Sequence, residues 1–314
     1  MNVISRTMNP TQWLMLIVLS MLWGGSFLFL GVSVSELPIF TVIALRVFLA
    51  AIILYAAMRI AGESLPRDRA AWTAFIVMGI INNVIPFTLL GFGQSYIASG
   101  LAALLTAATP LIGNLAAHFT WHDEPLTTNR VIGMLLGLVG VGIMFGPSLA
   151  GGFGVNVLAE LACLGAAVAF GFSGVYGRTF GKLGITPVAA GTGTLLSSSV
   201  VMIVLALAFD APWSIPVPDP HIIGAVIGLA VLSTAVAYMI YFRLLRQVGA
   251  TNTLLVTILM PVFAVIYGAL LLAERLEPRH FIGFAIVAIG LAATDGRVWG
   301  WIRGRSARGA RTGE

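Results

Sequence analysis

The sequence predicts an all-α integral membrane protein of ten transmembrane helices, arranged as two inverted-topology five-helix repeats, and three observations carry that prediction. Of the 314 residues, 59% are hydrophobic and 9% charged, with a mean hydropathy of +0.99. A water-soluble core has no room for that much apolar side chain. Apolar runs of about 20 residues, the length that crosses a hydrocarbon layer of roughly 30 Å, recur along the whole chain. Motifs of the first half also return in the second at an offset of 147 to 151 residues.

Bounded by charge, glycine or proline, the runs place spans at 12–33, 38–59, 70–90, 98–119, 129–147, 155–177, 187–209, 221–242, 250–272 and 279–296. Span one is too long for the apolar core of a signal peptide and leads straight into span two with no small-residue cleavage site, so it is retained. Span two carries Arg46 about eight residues in. Span three holds Asn82 and Asn83, with Phe87 after them. Span four contains Thr106, Thr109, Pro110 and Asn114; span five is the glycine-rich "GMLLGLVGVG", which allows close contact with a neighbouring helix. Span six holds Glu160, Phe170 and Cys163, the single cysteine, which excludes an internal disulfide and a cysteine metal cluster. After span seven, four prolines in "DAPWSIPVPDP" impose a stiff strap whose Trp213 suits a membrane interface. Span eight carries Ser233, Thr234 and Tyr238; span nine carries Thr257 and Pro261 and stops at Glu274; span ten precedes the basic tail.

The charges orient these spans. Of 17 basic residues, Arg275 and Arg279 fall on one side and Arg46 within a span; the other fourteen share the side that holds both termini. The positive-inside rule makes that side the cytoplasm and explains the net charge of +5 without a nucleic-acid partner. A bacterial-type inner membrane is the expected location.

Self-comparison divides the chain into residues 1–147, residues 148–296 and a basic tail, 297–314. "LWGGSF" faces "AFGFSG", "LPIF" faces "TPVA", "INNVIPF" faces "LSTAVAY", and "NRVIGMLLGLVGVGI" faces "RHFIGFAIVAIGLAA". Five is odd, so the second copy enters the membrane from the side opposite the first. Inverted repeats of this kind convert an inward-open into an outward-open state by exchanging the conformations of their halves.

The "LWG.SF" opening, the "ATP" of span four, the glutamate at that helix's end and the following "G..L...G" helix resemble the EamA-type repeats of the drug/metabolite transporter superfamily, twice over and across nearly the whole chain. The resemblance implies a ten-helix carrier that exports amino acids or small metabolites by alternating access. One branch exports aromatic amino acids. The second copy departs from the pattern, with Phe170 where the hallmark tryptophan is expected and Met260 where Thr109 stands.

Candidate site residues follow from what the spans bury. A zwitterionic amino acid needs donors and acceptors at one end, which Asn82, Thr106, Thr109 and Asn114 supply, and flat apolar walls at the other, which Trp23, Phe27, Phe170 and Tyr238 supply. Of the two asparagines, adjacent on a helix and so about 100° apart, Asn82 is placed toward the cavity. A bare charge at the depth of Arg46 demands a partner. It either locks its helix through backbone carbonyls, or binds a substrate carboxylate or gates. Pro110 and Pro261 withdraw a donor from the carbonyls of Thr106 and Thr257. Each freed carbonyl then faces a cavity, or is satisfied by a threonine hydroxyl or a neighbouring helix. Glu160 reads as a first-turn acid and His118 as an interfacial histidine. Glu124 and Glu274, equivalent in the repeat and therefore at opposite faces, either anchor two gates or mark helix boundaries.

The partners expected are a small-molecule solute and the lipid bilayer; no cofactor and no metal is required, and His122, Asp123 and Glu124 lack metal-site spacing. No H-E-x-x-H, intramembrane aspartate pair, G-x-S-x-G elbow or P-loop is present. Those absences weigh against a membrane-embedded enzyme and an ATP-driven pump. A channel is the remaining rival.

Overall fold

A computed structural model describes residues 8–120, 127–146, 154–253 and 255–294. Among them ten apolar helices follow one another: α1 (Pro10–Ser33), α2 (Ile39–Ile60), α3 (Arg69–Gln94), α4 (Ser99–Phe119), α5 (Thr128–Phe145), α6 (Val155–Lys182), α7 (Pro187–Asp210), α8 (Pro220–Gly249), α9 (Val256–Leu271) and α10 (Pro278–Thr294). The first eight are long and apolar enough to cross a membrane; α9 and α10 are shorter and equally apolar. Proline at the first position starts α1, α7, α8 and α10, where its missing N–H removes no helical bond. A reciprocal capping box of Asn9 and Gln12 fixes the start of α1.

Several helices depart from regular geometry, and two of the departures are paired across the repeat, while a further wide turn at Ala206–Asp210 closes α7 without a counterpart in α2. Wide turns with i→i+5 bonding occupy Ile80–Val84 in α3 and Val231–Val236 in α8. These segments carry Asn82 and Asn83 in one copy and Ser233 and Thr234 in the other. Such turns are inserted where a helix must redirect polar side chains. The span expected at 98–119 is not one continuous helix: it breaks between Ser99–Thr106 and Thr109–Thr120, placing Pro110 at the start of the second segment rather than in mid-helix. The eighth span runs beyond 242 and ends at Gly249, whose φ of +77° suits only a residue without Cβ, and regular helix in the ninth begins at Val256 rather than at 250. Glu160 is not a first-turn acid. It lies in the second turn of α6 and is buried.

Three pairs of equivalent helices meet antiparallel: α2 with α7, α4 with α9 and α5 with α10. The bundle end holding the start of α1 and the end of α10 is here the terminal face, and the other the far face. At the far face Asp210, closing α7, accepts from the Thr41 N–H (2.6 Å) and hydroxyl (2.9 Å) at the start of α2. At the terminal face Glu63, just past α2, accepts from the hydroxyl of Thr186, which caps α7. Glu274, just past α9, accepts from Ser99 N–H (2.7 Å) and Gly100 N–H (3.0 Å) at the start of α4. Helices α5 and α10 meet backbone to backbone: a Cβ on Gly133 would lie 2.5 Å from the Gly290 carbonyl, and one on Gly140 2.5 Å from that of Gly283. Since lipid is as apolar as leucine, such pairs are held by close packing and polar bonds, not by hydrophobic transfer.

One buried cluster joins α2, α7 and α8 through Val47, Leu54, Leu195, Met202 and Phe242; a larger one joins α1, α4, α6 and α9 through Phe27, Leu30, Leu105, Cys163 and Ala264. Outward, Val200, Leu207 and Phe209 of α7 and Leu135, Leu138 and Val139 of α5 present apolar surface suited to lipid.

Candidate functional site

Between the two clusters the helices bring polar and aromatic side chains of both halves together. Arg46 of α2 is buried and donates through Nε to the Thr234 hydroxyl at 3.0 Å. Thr234 can accept because its own proton goes to the Leu229 carbonyl, five residues back and 2.8 Å away, an acceptor that the wide turn exposes. The guanidinium carbon lies over the Phe87 ring, 3.7 Å from its centroid. Among the described residues it has no carboxylate partner and bonds no backbone carbonyl, so it does not lock its helix that way. Its terminal N–H groups have no protein acceptor there, and those atoms are not sealed off from probe-sized space.

Asn82 donates to Tyr238 Oη at 3.3 Å and to Asn83 Oδ1 at 3.1 Å; its own Oδ1 lies 2.8 Å from the Ser173 hydroxyl of α6. Asn83 is fully enclosed and donates to Ser198 of α7 at 2.8 Å. The two asparagines thus divide the work as the helical angle between them requires, Asn82 half-buried among residues of α6 and α8 and Asn83 sealed against α7. Tyr238 stands one turn beyond Thr234, on the face that meets Arg46. Its hydroxyl proton has no acceptor among the described residues. Each copy's hallmark aromatic meets a ring of the other copy: Trp23 lies 5.4 Å from Tyr241, and Phe170 6.1 Å from Phe87, edge to face. Trp23, Asn82, Phe170 and Tyr238 are each half-buried.

The structure therefore brings Arg46, Asn82, Phe170 and Tyr238 together, with Trp23 beside Tyr241, and places the other described candidates elsewhere. Thr106 is buried with its hydroxyl on the Ala103 carbonyl (2.9 Å), and Thr109 donates to the Thr106 carbonyl (2.7 Å). The carbonyl freed by Pro110 is thus closed inside α4, and neither hydroxyl has a proton left to donate to a solute. Phe27 is core rather than wall. Asn114, half-buried on the second segment of α4, has no hydrogen-bond partner among the described residues and does not join the Arg46 network. Thr257 is half-buried in the first turn of α9. Glu124 lies outside the described residues.

Sequence reasoning missed Ser173 and Ser198. Both sit in quoted or repetitive motifs, "AFGFSG" and "SSS", and a search for small hydroxyls facing Asn82 and Asn83 would have found them. The repeat also shows where the site is asymmetric. Arg46 falls on Leu195 at the offset of "LPIF" to "TPVA", and Asn83 falls on Thr234. The α2–α8 contact is therefore a charge on a hydroxyl, Arg46 on Thr234, where the equivalent α7–α3 contact is a hydroxyl paired with an amide, Ser198 with Asn83.

Comparison with known proteins agrees with this architecture. The model of the EamA-like transporter family matches residues 11–146 and again 157–294. An uncharacterized transporter of Archaeoglobus fulgidus is 27% identical over 89% of this chain and 97% of its own length, and the uncharacterized transporter YoaV of Bacillus subtilis is 22% identical over 88% and 94%. The S-adenosylmethionine/S-adenosylhomocysteine transporter of Chlamydia trachomatis is 24% identical over 86% of this chain and 84% of its own. A solved crystal structure shares the fold, with a TM-score of 0.63 and 22% identity over 91% of this chain and 97% of that one.

Proposed function

The chain belongs to the EamA-like transporter family of the drug/metabolite transporter superfamily and is a membrane transporter, not an enzyme; from that premise we propose that it is a secondary carrier exporting amino acids, aromatic or hydrophobic ones first, across the inner membrane by alternating access. One observation carries the reading. Arg46 is buried between the two halves with an aromatic floor and one hydroxyl, and keeps its remaining N–H groups for an acceptor that the described protein does not supply. A buried guanidinium without an anion is costly at membrane depth, and a carboxylate matches its planar fork with two parallel bonds. The Tyr238 hydroxyl adds a third donor. Trp23, Phe87, Phe170 and Tyr241 bound the same region with rings, which suits a solute whose other end is flat and apolar.

Two further facts support the reading. The relative named for S-adenosylmethionine handles a molecule that joins an α-amino acid head to a planar ring, the same division of chemistry. The first segment of α4 packs on α9 at the far face, while its second segment turns away to α6. With the terminal face in the cytoplasm, that arrangement is an inward-facing state closed outside by Glu274.

The test is counterflow in liposomes: protein is reconstituted, loaded with one unlabelled amino acid at a time, and uptake of trace label is measured, with S-adenosylmethionine as a further solute. A carrier accelerates label uptake when unlabelled solute waits inside; a channel does not. Arg46→Ala is expected to abolish counterflow while a folded protein remains in the membrane. Wild-type flux in that folded variant would remove Arg46 from the site.

A further inference from the structure

At the far face, apart from the Arg46 network, the two halves line a half-open cavity of about 440 Å³. Gly31 and Val32 of α1, Gln94 at the end of α3, Ser99 of α4, His221 of α8 and Glu274 line it, with Leu271 and Leu272 as apolar wall. Two features of its wall are unexplained by packing. Gln94 is 8% exposed, and neither its Oε1 nor its Nε2 has a hydrogen-bond partner among the described residues. Its carboxamide is turned toward the same wall: a Cβ on Gly31 would sit 3.3 Å from Gln94 Oε1 and 3.7 Å from Ser99 Cβ. The Ser99 hydroxyl is likewise enclosed and unpartnered. Glu274 brings a carboxylate that is oriented by two backbone N–H groups and neutralised by no lysine or arginine among the described residues.

We infer that this cavity is a second binding site, selective for a small organic primary ammonium, held by Glu274, Gln94 Oε1 and the Ser99 hydroxyl with its apolar part against Leu271, Leu272 and Val32. The chemistry fits point by point. An ammonium has three donors and no acceptor, and the wall offers a carboxylate, a carboxamide oxygen and a hydroxyl oxygen. The charge it carries cancels that of Glu274 in a half-enclosed place where the carboxylate has no cationic partner. A buried amide oxygen without a donor destabilises the fold, and an ammonium supplies that donor to Gln94 Oε1. Because Glu274 also holds the start of α4, an occupant shares that carboxylate with the closure between α4 and α9. The site rests on the geometry of the far face and stands whether or not the Arg46 region carries amino acids.

Calorimetric titration of pentylammonium into the purified full-length protein tests it, with pentan-1-ol and hexanoate as probes of similar shape and different charge. Pentylammonium is expected to bind roughly tenfold more tightly than pentan-1-ol, as one charge-assisted bond implies, and hexanoate not at all. Gln94→Leu and Glu274→Gln should each weaken binding by about tenfold, while Asn82→Leu leaves it unchanged. Equal binding of the ammonium and the alcohol, or loss of binding in Asn82→Leu instead, would overturn the site. Thermal unfolding supplies an independent check: Gln94→Leu should melt no lower than the parent protein, since it removes an unmatched polar group. A lower melting point would mean that Gln94 is bonded within the protein, and the assignment would fall.

Discussion

Among the described residues, helices α2 and α7 are tied at both faces and α4 and α9 at the far face. The first pair has Asp210 on Thr41 at the far face and Glu63 on Thr186 at the terminal face, each a carboxylate at the end of one helix meeting the start of its repeat partner. The second has Glu274 on Ser99 and Gly100 at the far face. Toward the terminal face, α4 breaks after Thr106 and its second segment leaves α9 for α6. The same inverted repeat has thus produced one closed seam and one that diverges. A seam fixed at both ends resists rocking, whereas a seam fixed at one end can exchange which end is fixed. In the proposed carrier cycle this contrast assigns the movement to α4 and α9 and leaves Arg46, mounted on α2, on the stationary pair.

The largest expected effect comes from locking the moving seam. Gly100→Cys with Val265→Cys places two thiols where a Cβ on Gly100 would lie 3.4 Å from the Val265 Cα. Oxidation should lower counterflow at least about tenfold, with recovery on reduction, because a disulfide removes the alternative arrangement. Thr41→Cys with Asp210→Cys, oxidised in the same way, should leave flux within about twofold. The opposite ranking in the two double variants would exchange the roles of the seams.

A smaller effect separates the asparagines. Asn82→Leu should weaken apparent solute affinity about tenfold, the value of one lost bond to a bound polar group. Asn83→Leu removes a bond between α3 and the stationary α7, and should lower the melting temperature by an amount equivalent to about 1 kcal/mol with affinity little changed. Uptake kinetics and thermal unfolding of both variants check the contrast; affinity loss confined to Asn83→Leu would reverse it. The smallest effect is expected from Asp210→Asn, which keeps an acceptor for the Thr41 N–H but removes the charge at a helix start. It should cost about 0.5–1 kcal/mol on unfolding and leave flux unchanged, and a large loss of flux would show that the α2–α7 seam moves after all.

Much of the fold was legible because hydrocarbon thickness, not packing detail, sets helix length. Apolar runs and first-position prolines gave the order of ten helices, and an odd number of spans per copy gave the antiparallel pairing now seen at Glu63, Asp210 and Glu274. Arg46 stood out because a charge within a span has few explanations. What it would touch did not stand out, since Phe87 and Thr234 reach it only through the fold. The wide turns in α3 and α8 were invisible because no residue type marks them; their polar pairs were noticed, but not the extra residue in each turn. Pro110 alone did not mark the break in α4, although closure of the Thr106 carbonyl by a threonine hydroxyl was one of the two alternatives its position left open. Thr109, three residues past Thr106, was the clue to how its carbonyl is closed, and Met260 at the equivalent place in α9 cannot repeat the arrangement.

The contact between α5 and α10 has a mechanical consequence. A Cβ on Gly133, Gly140, Gly283 or Gly290 would lie within 2.6 Å of an opposing carbonyl oxygen, with the side chains of Thr294, Val287, Met144 and Leu136 packed beside these contacts. Ordinary helix interfaces slide only when interlocked side chains change rotamer, and each such change is a small barrier. Glycine at these four points removes part of that interlocking, and in the proposed carrier cycle it lowers the resistance to one bundle turning against the other.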